Sequence, residues 1–433
     1  MRLKDDEKKD KNVFKRIFED NWEEFKKSNQ KYDREQYNKV VEKMLKCGTE
    51  LGGYAEYRCM ECGQDFRRVA FSCKSMFCLS CAKVYTDNFI CNVSRMLHPE
   101  MRYRHVVLTV PEQFRTYFYK DKFEGNLLKK LFKAGYECLK EVIRIKFRKE
   151  LKIGIIVVLQ TYGRAGNYVP HLHVIMTNGG FDERENKWEE LTYLPYEILH
   201  KEWQKSLLEM MGREIKTVEM EKLIERMKIE YPKGFVASIS KGEAPKNKSG
   251  LARYLAKYIA SPPISVRRIL EYTGKMVKYC YMDHKTKKIK EETVDVMIFI
   301  GRMVQHVLPK GFQRVKYYGI QATKSLKLWR DKIKKCVKKI KGKIKDVYEV
   351  IEKVNYRERY RRGCGRDPFI CSCCGGKMEL SIIWHPDYGV IYDEIERVKR
   401  GYYKKEEVGD SSGGGRCSVR RASKNVQLSM FEM

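Results

Sequence analysis

The sequence predicts an α+β protein: a central antiparallel sheet flanked by helices, a helical cysteine-rich module before it and a basic helical region after it. Three observations carry that expectation. Strand-length apolar runs (RHVVLTV, Lys152–Tyr162 and His171–Thr177) are separated by Lys-rich stretches whose apolar residues recur at helical steps. Five of the 15 cysteines fall between Cys59 and Cys81. From Lys327 to Arg362 there are 15 basic and 5 acidic residues, mostly at helical spacing. The expected boundaries are 10–98, 100–325 and 326–433.

Residues 10–47 read as helical, because Phe14, Ile17, Phe18, Trp22 and Phe25 fall on one stripe and Val40, Val41, Met44 and Leu45 repeat the pattern. The strand Arg104–Val110 is ended by Pro111, and 112–150 reads as helices. The strand Lys152–Tyr162 joins His171–Thr177 through GRAGN, and Asn178-Gly179-Gly180 stops the second strand, which is hairpin chemistry. Residues 184–229 read as helical. After the polar loop KGEAPKNKSG, a short helix, Leu251–Ala260, is ended by Pro262-Pro263. Two strands, near 276–283 and 292–300, flank HKTKKIK. The tail GDSSGGGRCSVRRASKN is too poor in apolar residues to build a core.

Of the 433 residues, 89 are Lys or Arg and 57 are Asp or Glu, a net charge of +32. A compact chain this basic repels itself unless an anion binds, so nucleic acid, acidic membrane and acidic protein are the candidate partners. No apolar run approaches the ~20 residues of a membrane span. The start, MRLKDDEKKDKN, has no apolar segment of a secretory signal, so a cytoplasmic, nucleoid-associated protein of bacterial type is expected. Hydrophobic residues make up 42 %, enough for a core.

Three constellations carry chemistry. The first is Cys59-x2-Cys62-x10-Cys73-x4-Cys78-x2-Cys81. A Cys-x2-Cys turn places two thiolates on one side of a knuckle, and two knuckles surround a tetrahedral Zn²⁺. Cys59, Cys62, Cys78 and Cys81 are the expected set, with Cys73 a further candidate and Cys47 spare. Four thiolates leave no open position, so this zinc is structural. The second is His171-Leu172-His173: residues i and i+2 of a strand share a face, and two imidazoles there can hold one divalent cation. Eight histidines in the whole chain make such a pair uncommon by chance. The third is Tyr254-x3-Tyr258, one above the other on a helix. With 28 tyrosines such pairs arise by chance, and Tyr356/Tyr360 and Tyr388/Tyr392 are two more. Tyr356/Tyr360, among four arginines, reads as a phosphate-binding face. Pro386 and Gly389 argue against a helix at Tyr388/Tyr392.

The order of these pieces, a strand ending Leu108-Thr109-Val110, then the H-x-H strand, then the Tyr-x3-Tyr helix, resembles the three motifs of HUH single-strand endonucleases. The chain as a whole resembles the two-tyrosine rolling-circle transposases of bacterial insertion sequences, which carry an N-terminal zinc-binding domain. The stretches CGTELGGYAEYRCMEC, SCKSMFCLSC, VVLQTYG, PHLHVIMTNGG, ARYLAKYIASPPIS and HVLPKGFQRVKYYG carry the likeness across residues 47–319. Tyr54 and Phe77 stand where that family usually has histidine. The C-terminal Cys371 and Cys374 resemble the family's terminal Cys-x2-Cys-Gly, without a visible second pair.

The resemblance implies an HUH-like sheet and a DNA transposase that nicks and rejoins single-stranded DNA at the ends of an element. His171 and His173 are then expected to hold Mg²⁺ or Mn²⁺, with Gln160 on the paired strand as third ligand, and Tyr254 or Tyr258 to form a 5′-phosphotyrosine. Lys310, Arg314 and Lys316 beside Tyr317 mix cations with rings, as single-strand platforms do. No G-x4-G-K-[ST] loop is present in the sequence, so a host helicase or the replication machinery is expected to expose the strand. The alternatives are a plasmid or phage rolling-circle replication initiator and a non-catalytic zinc DNA-binding protein.

Overall fold

The computed structural model describes residues 10, 12–98, 101–124, 126–239, 250, 253, 262–283, 286–341 and 353–399. Along the chain the elements are α1 (Val13–Ser28), α2 (Glu35–Leu45), β1 (Tyr54–Cys59), β2 (Phe66–Ala70), α3 (Leu79–Met96), β3 (Tyr103–Thr109), α4 (Glu112–Asp121), α5 (Asn126–Phe147), β4 (Gly154–Tyr162), β5 (Tyr168–Thr177), β6 (Gly179–Asp182), β7 (Lys187–Glu190), α6 (Tyr196–Glu214), α7 (Val218–Glu230) and β8 (Ala237–Ile239). They continue with β9 (Ile269–Tyr272), β10 (Met276–Met282), β11 (Ile289–Asp295), α8 (Val296–Val304), β12 (Val315–Gly319), α9 (Leu326–Lys341), α10 (Tyr356–Cys364), β13 (Met378–His385), β14 (Gly389–Asp393) and α11 (Glu394–Lys399). The architecture is mixed α+β with several antiparallel sheets. The chain divides into two compact units, Met1–Val41 with Ser75–Glu352, and Glu42–Lys74 with Lys353–Met433.

The larger unit is built on a five-stranded sheet of order β12-β4-β5-β3-β8. Every pairing in it is antiparallel. β5 is central and buried at every position from Leu172 to Thr177, as a strand covered on both faces is. On one face Leu108, Val157, Leu159, Leu172 and Val174 pack against α4 to α6 through residues such as Phe114, Leu131, Leu139 and Trp203. On the other, Ile156, Val158 and Ile175 meet Phe89 and Val93 of α3, Leu97 just after it, and Trp329 and Ile333 of α9. Each such fully buried aliphatic side chain contributes about 1.5–3 kcal/mol. Trp203 Nε1 donates to Thr109 O (3.0 Å) and pins α6 to β3. Elsewhere in this unit β9, β10 and β11 form a three-stranded sheet, and Phe14 of α1 meets Phe299 of α8 edge-on.

The smaller unit contains a four-stranded sheet of order β14-β13-β1-β2. Ala55, Tyr57, Val69, Leu380 and Ile383 form its core together with Cys59 and Cys371. β14 begins at Gly389, just after Tyr388, and carries Tyr392, so the Tyr388/Tyr392 pair is not helical. Tyr356 and Tyr360 do share a helical face on α10, with rings 6.0 Å apart. The Arg67 guanidinium, 5.4 Å above the Tyr360 ring, keeps that face cationic.

Two expected elements change. Residues 184–229 begin not with helix but with the β6–β7 hairpin, in which Phe181 pairs with Trp188. The run expected as a strand over 292–300 splits at Asp295: β11 ends there, and α8 begins because the Asp295 carboxylate accepts the Met297 N–H (2.8 Å) as an N-cap. An apolar run such as VMIFI suits either state, and the cap decides. The loop KGEAPKNKSG but for Gly250, all but Arg253 of the Leu251–Ala260 helix with Tyr254 and Tyr258, residues 342–352 of the basic run and the tail lie outside the described residues. No described helix is long and apolar enough to cross a membrane.

Candidate functional site

The sheet of the larger unit brings the expected cation ligands together. In register, Gln160 on β4 faces His171 on β5, and Val158 faces His173. Both histidines therefore point to the same side as Gln160. The register shift between Gln160 and Tyr162 is a bulge at the end of the hairpin, a place where sheets re-aim side chains. Gln160 Oε1 lies 2.8 Å from His171 Nε2 and 2.8 Å from His173 Nε2, and the two Nε2 atoms are 3.2 Å apart.

The hydrogens sharpen this picture. His171 Nδ1 is 2.7 Å from the Val169 carbonyl, which can only accept, so Nδ1 carries the hydrogen. Burial pushes the His171 pKa down, which keeps the ring neutral and its Nε2 a bare lone pair. His173 is pushed well below the usual histidine range, by burial first and then by His171 and His105. Gln160 also bonds the Tyr162 phenol and favours its charged form, as a donated amide N–H does, although burial raises the Tyr162 pKa overall. The Gln160 Oε1 faces the imidazoles. An oxygen and the lone pair of His171 Nε2 at 2.8 Å repel unless a cation lies between them. A neutral oxygen with two imidazole nitrogens is a donor set for a divalent ion, so Mg²⁺ or Mn²⁺ fits here.

The smaller unit holds a second constellation. Cys59, Cys62, Cys371 and Cys374 have sulfurs all within 4.8 Å of one another. Cys59 Sγ is 3.5 Å from Cys374 Sγ, and Cys62 Sγ is 3.7 Å from Cys371 Sγ. Two alike knuckles build it. Each is a Cys-x2-Cys followed by a glycine, Gly63 or Gly375, whose N–H returns to the first cysteine's carbonyl at 3.2 Å. Both glycines have positive φ, +71° and +75°, which a side chain would strain. Backbone N–H groups of Cys62 and Glu61 aim at the Cys59 sulfur and pull its thiol down to about 6. A thiolate so prepared is a zinc ligand.

The sulfurs of Cys59 and Cys62, expected to act with Cys78 and Cys81, gather with those of Cys371 and Cys374. β1 and β13 pair with Cys59 opposite Met378, so each strand brings its knuckle to one end of the sheet. Cys78 and Cys81 lie at the start of α3, where the Cys81 N–H donates to the Cys78 carbonyl (3.1 Å). The Cys73 N–H donates to Cys47 Sγ (3.3 Å). The two positions that depart from the family's histidines are packed: Tyr54 stacks on Trp384, and Phe77 fits edge-on against Phe14 and Phe18.

Two family models match the chain. A family described as "Transposase zinc-binding domain" matches residues 17–110, and one described as "Putative transposase" matches residues 154–327. Both matches describe parts of a two-tyrosine transposase of IS91- and IS801-type insertion sequences with an N-terminal zinc-binding domain, the family that this chain resembles. The chain is 28 % identical over 352 residues to "Transposase for insertion sequence element IS801" of Pseudomonas savastanoi pv. phaseolicola, covering 78 % of this chain and 82 % of that one. It is 26 % identical over 348 residues to "Putative transposase y4qJ" of Sinorhizobium fredii, covering 77 % and 85 %. No solved structure matches it.

The residues expected to contact DNA divide. Lys310 is exposed in the turn before β12. Arg314 is half-buried, with Nη1 3.1 Å from Met76 Sδ and the Tyr162 phenol within electrostatic reach. Lys316 and Tyr317 occupy β12 opposite Val157 and Ile156. Tyr317 packs against the apolar core on the α3 side of the sheet, and Tyr318 stacks on Tyr136, because β12 is covered on both faces. Tyr317 is half-buried. Tyr254 and Tyr258 lie outside the described residues. Sequence reasoning passed over one residue, His105 on β3: its Nε2 is 2.9 Å from His173 Nδ1, and the rings stack with centroids 5.1 Å apart. The alternation of RHVVLTV puts His105 on the face that carries His173, a signal available only once β3 and β5 are known to pair.

Proposed function

We propose that this transposase cuts and rejoins single-stranded DNA at the ends of its insertion sequence through a 5′-phosphotyrosine, on an HUH-like sheet. The observation that carries the reading is the convergence of Gln160 Oε1 and the His171 and His173 Nε2 atoms, 2.8–3.2 Å apart, on the central hairpin. A divalent ion held there would polarise the scissile phosphate and offset its developing charge. His171 is held in one tautomer by Val169, and Gln160 is held in one orientation by Tyr162, so the ligands need little rearrangement to receive the ion. Tyr254 or Tyr258 supplies the nucleophile. Its oxygen forms a bond to phosphorus as the bond to the 3′-oxygen breaks, the phenol proton goes to solvent, and the 3′-oxygen leaves as a hydroxyl. One phosphodiester replaces another, so the step is reversible and needs no ATP. The second tyrosine lets one chain hold a second strand. Labelled single-stranded terminal sequence incubated with protein and Mg²⁺ should yield a free 3′-OH fragment and a protein-linked 5′ fragment. Chelating the ion should stop it. A nick without a protein adduct would sink the reading.

The thiolates serve the fold. Cys59, Cys62, Cys371 and Cys374 hold one structural zinc. Cys78 and Cys81 keep their expected role as zinc ligands, with Cys47 and Cys73 as the remaining thiols of that segment. A Cys371→Ser, Cys374→Ser protein should contain one zinc fewer per chain by metal analysis. It should also lose cooperative unfolding of the small sheet, since metal affinity at such a site is folding free energy. Unchanged zinc content would remove these two cysteines from the ligand set.

A further inference from the structure

We propose that His105 is a positioning residue: it accepts a hydrogen bond from His173 Nδ1–H and so fixes His173 with the Nε2 lone pair beside Gln160 and His171. The inference rests on the metal reading above. In the β3–β5 register His105 lies opposite Ile175, one diagonal step from His173 on the same face. Both rings are nearly inaccessible, at 4 % and 5 % exposure, and their planes lie within 21°. The 2.9 Å between His105 Nε2 and His173 Nδ1 holds one hydrogen. Its direction follows from the far side of His173. If Nε2 is to be a ligand, the hydrogen of the neutral ring must sit on Nδ1, and His105 Nε2 must accept it.

The topology says why an imidazole does this work. His171 uses the Val169 carbonyl, 2.7 Å away, because Val169 lies opposite the bulge between Gln160 and Tyr162 and has no partner in register there. His173 sits where β5 is paired on both sides, with Val158 of β4 and Val107 of β3. Backbone carbonyls at such a position are committed to the ladders. An acceptor for His173 Nδ1–H is then best supplied by a side chain on a neighbouring strand, and His105 is in reach. Acceptors of this kind set the tautomer and orientation of metal-binding histidines and tune their affinity.

The test is Mn²⁺ binding to the full-length, zinc-loaded protein without DNA, read by electron paramagnetic resonance. His105→Leu keeps the packing volume and removes the acceptor. His105→Gln restores an acceptor oxygen. The expected result is a 10- to 100-fold weaker Mn²⁺ affinity for His105→Leu, about the usual cost of removing such a partner, with zinc content unchanged and substantial recovery in His105→Gln. His173→Ala is the reference and should lose the site. If His173→Ala binds Mn²⁺ like the parent, the metal reading itself fails. If His173→Ala loses binding while His105→Leu keeps it, the role of His105 is overturned. Equal weakening in His105→Leu and His105→Gln would reduce His105 to a packing residue and also overturn it. A readout that needs no variant is ¹⁵N imidazole NMR of the unmodified protein with Mg²⁺. A proton on His173 Nδ1 supports the inference, and a proton on His173 Nε2 defeats it.

Discussion

Replacing His171 and His173 with alanine should abolish strand cleavage while leaving single-strand DNA binding in place. Three acceptors now converge on one point, and removing two of them leaves Gln160 as a single neutral oxygen, too weak to retain a divalent ion. Losing one preorganised stabiliser of developing charge typically lowers a rate on the order of 10²- to 10³-fold. The double change should exceed that and reach background in a labelled-oligonucleotide gel. The fold should survive. His171 is half-buried and His173 fully so, but the facing acceptors repel, and their removal relieves that repulsion. The +32 charge that draws nucleic acid to the protein is untouched, because both rings are neutral. Cleavage at the parental rate in a folded double variant would refute the metal role of the pair.

The second large effect concerns the nucleophile. A Tyr254→Phe, Tyr258→Phe protein should form no SDS-stable adduct with single-stranded end DNA yet bind it as before, since phenylalanine keeps the ring and removes only the attacking oxygen. An ordinary tyrosine has a pKa of about 10, so its phenolate is scarce near neutrality and an electrophilic phosphate is needed. Tyr162 provides an internal control. Its ring is close enough to bond Gln160, but it is only 8 % exposed, and burial raises its pKa. Tyr162→Phe should therefore still form adducts, at a reduced rate if the orientation of Gln160 depends on that phenol. Adducts that persist in the double variant and vanish in Tyr162→Phe would transfer the nucleophile to Tyr162.

Local pattern carried much of the site. The hairpin around GRAGN and the shared face of His171 and His173 follow from the two-residue period of a strand, and Gln160 follows once those strands pair. The two knuckles were equally visible, each a Cys-x2-Cys. Their partnership was not: Cys59 and Cys62 adjoin Cys78 and Cys81 in sequence, whereas Cys371 and Cys374 lie some three hundred residues away. Only the pairing of β1 with β13 brings the distant knuckle to the near one. The helix at Val296 escaped notice for a different reason. Its apolar run carries no period that excludes a strand, and the deciding Asp295 cap is a single residue.

What the sequence determined by itself is which residue types stand at which short spacings: thiol pairs, an imidazole pair, a phenol pair, and a surplus of cations. These are consequences of local geometry, because two- and four-residue periods are set by the backbone alone. The tertiary structure decided which pairs meet. It joined Cys59 and Cys62 to Cys371 and Cys374, and it laid His105 against His173. It also packed the half-buried Tyr317 ring against the sheet's core. Such contacts depend on strand order and on which face each sheet buries, and those are settled by the packing of the whole chain rather than by any segment of it.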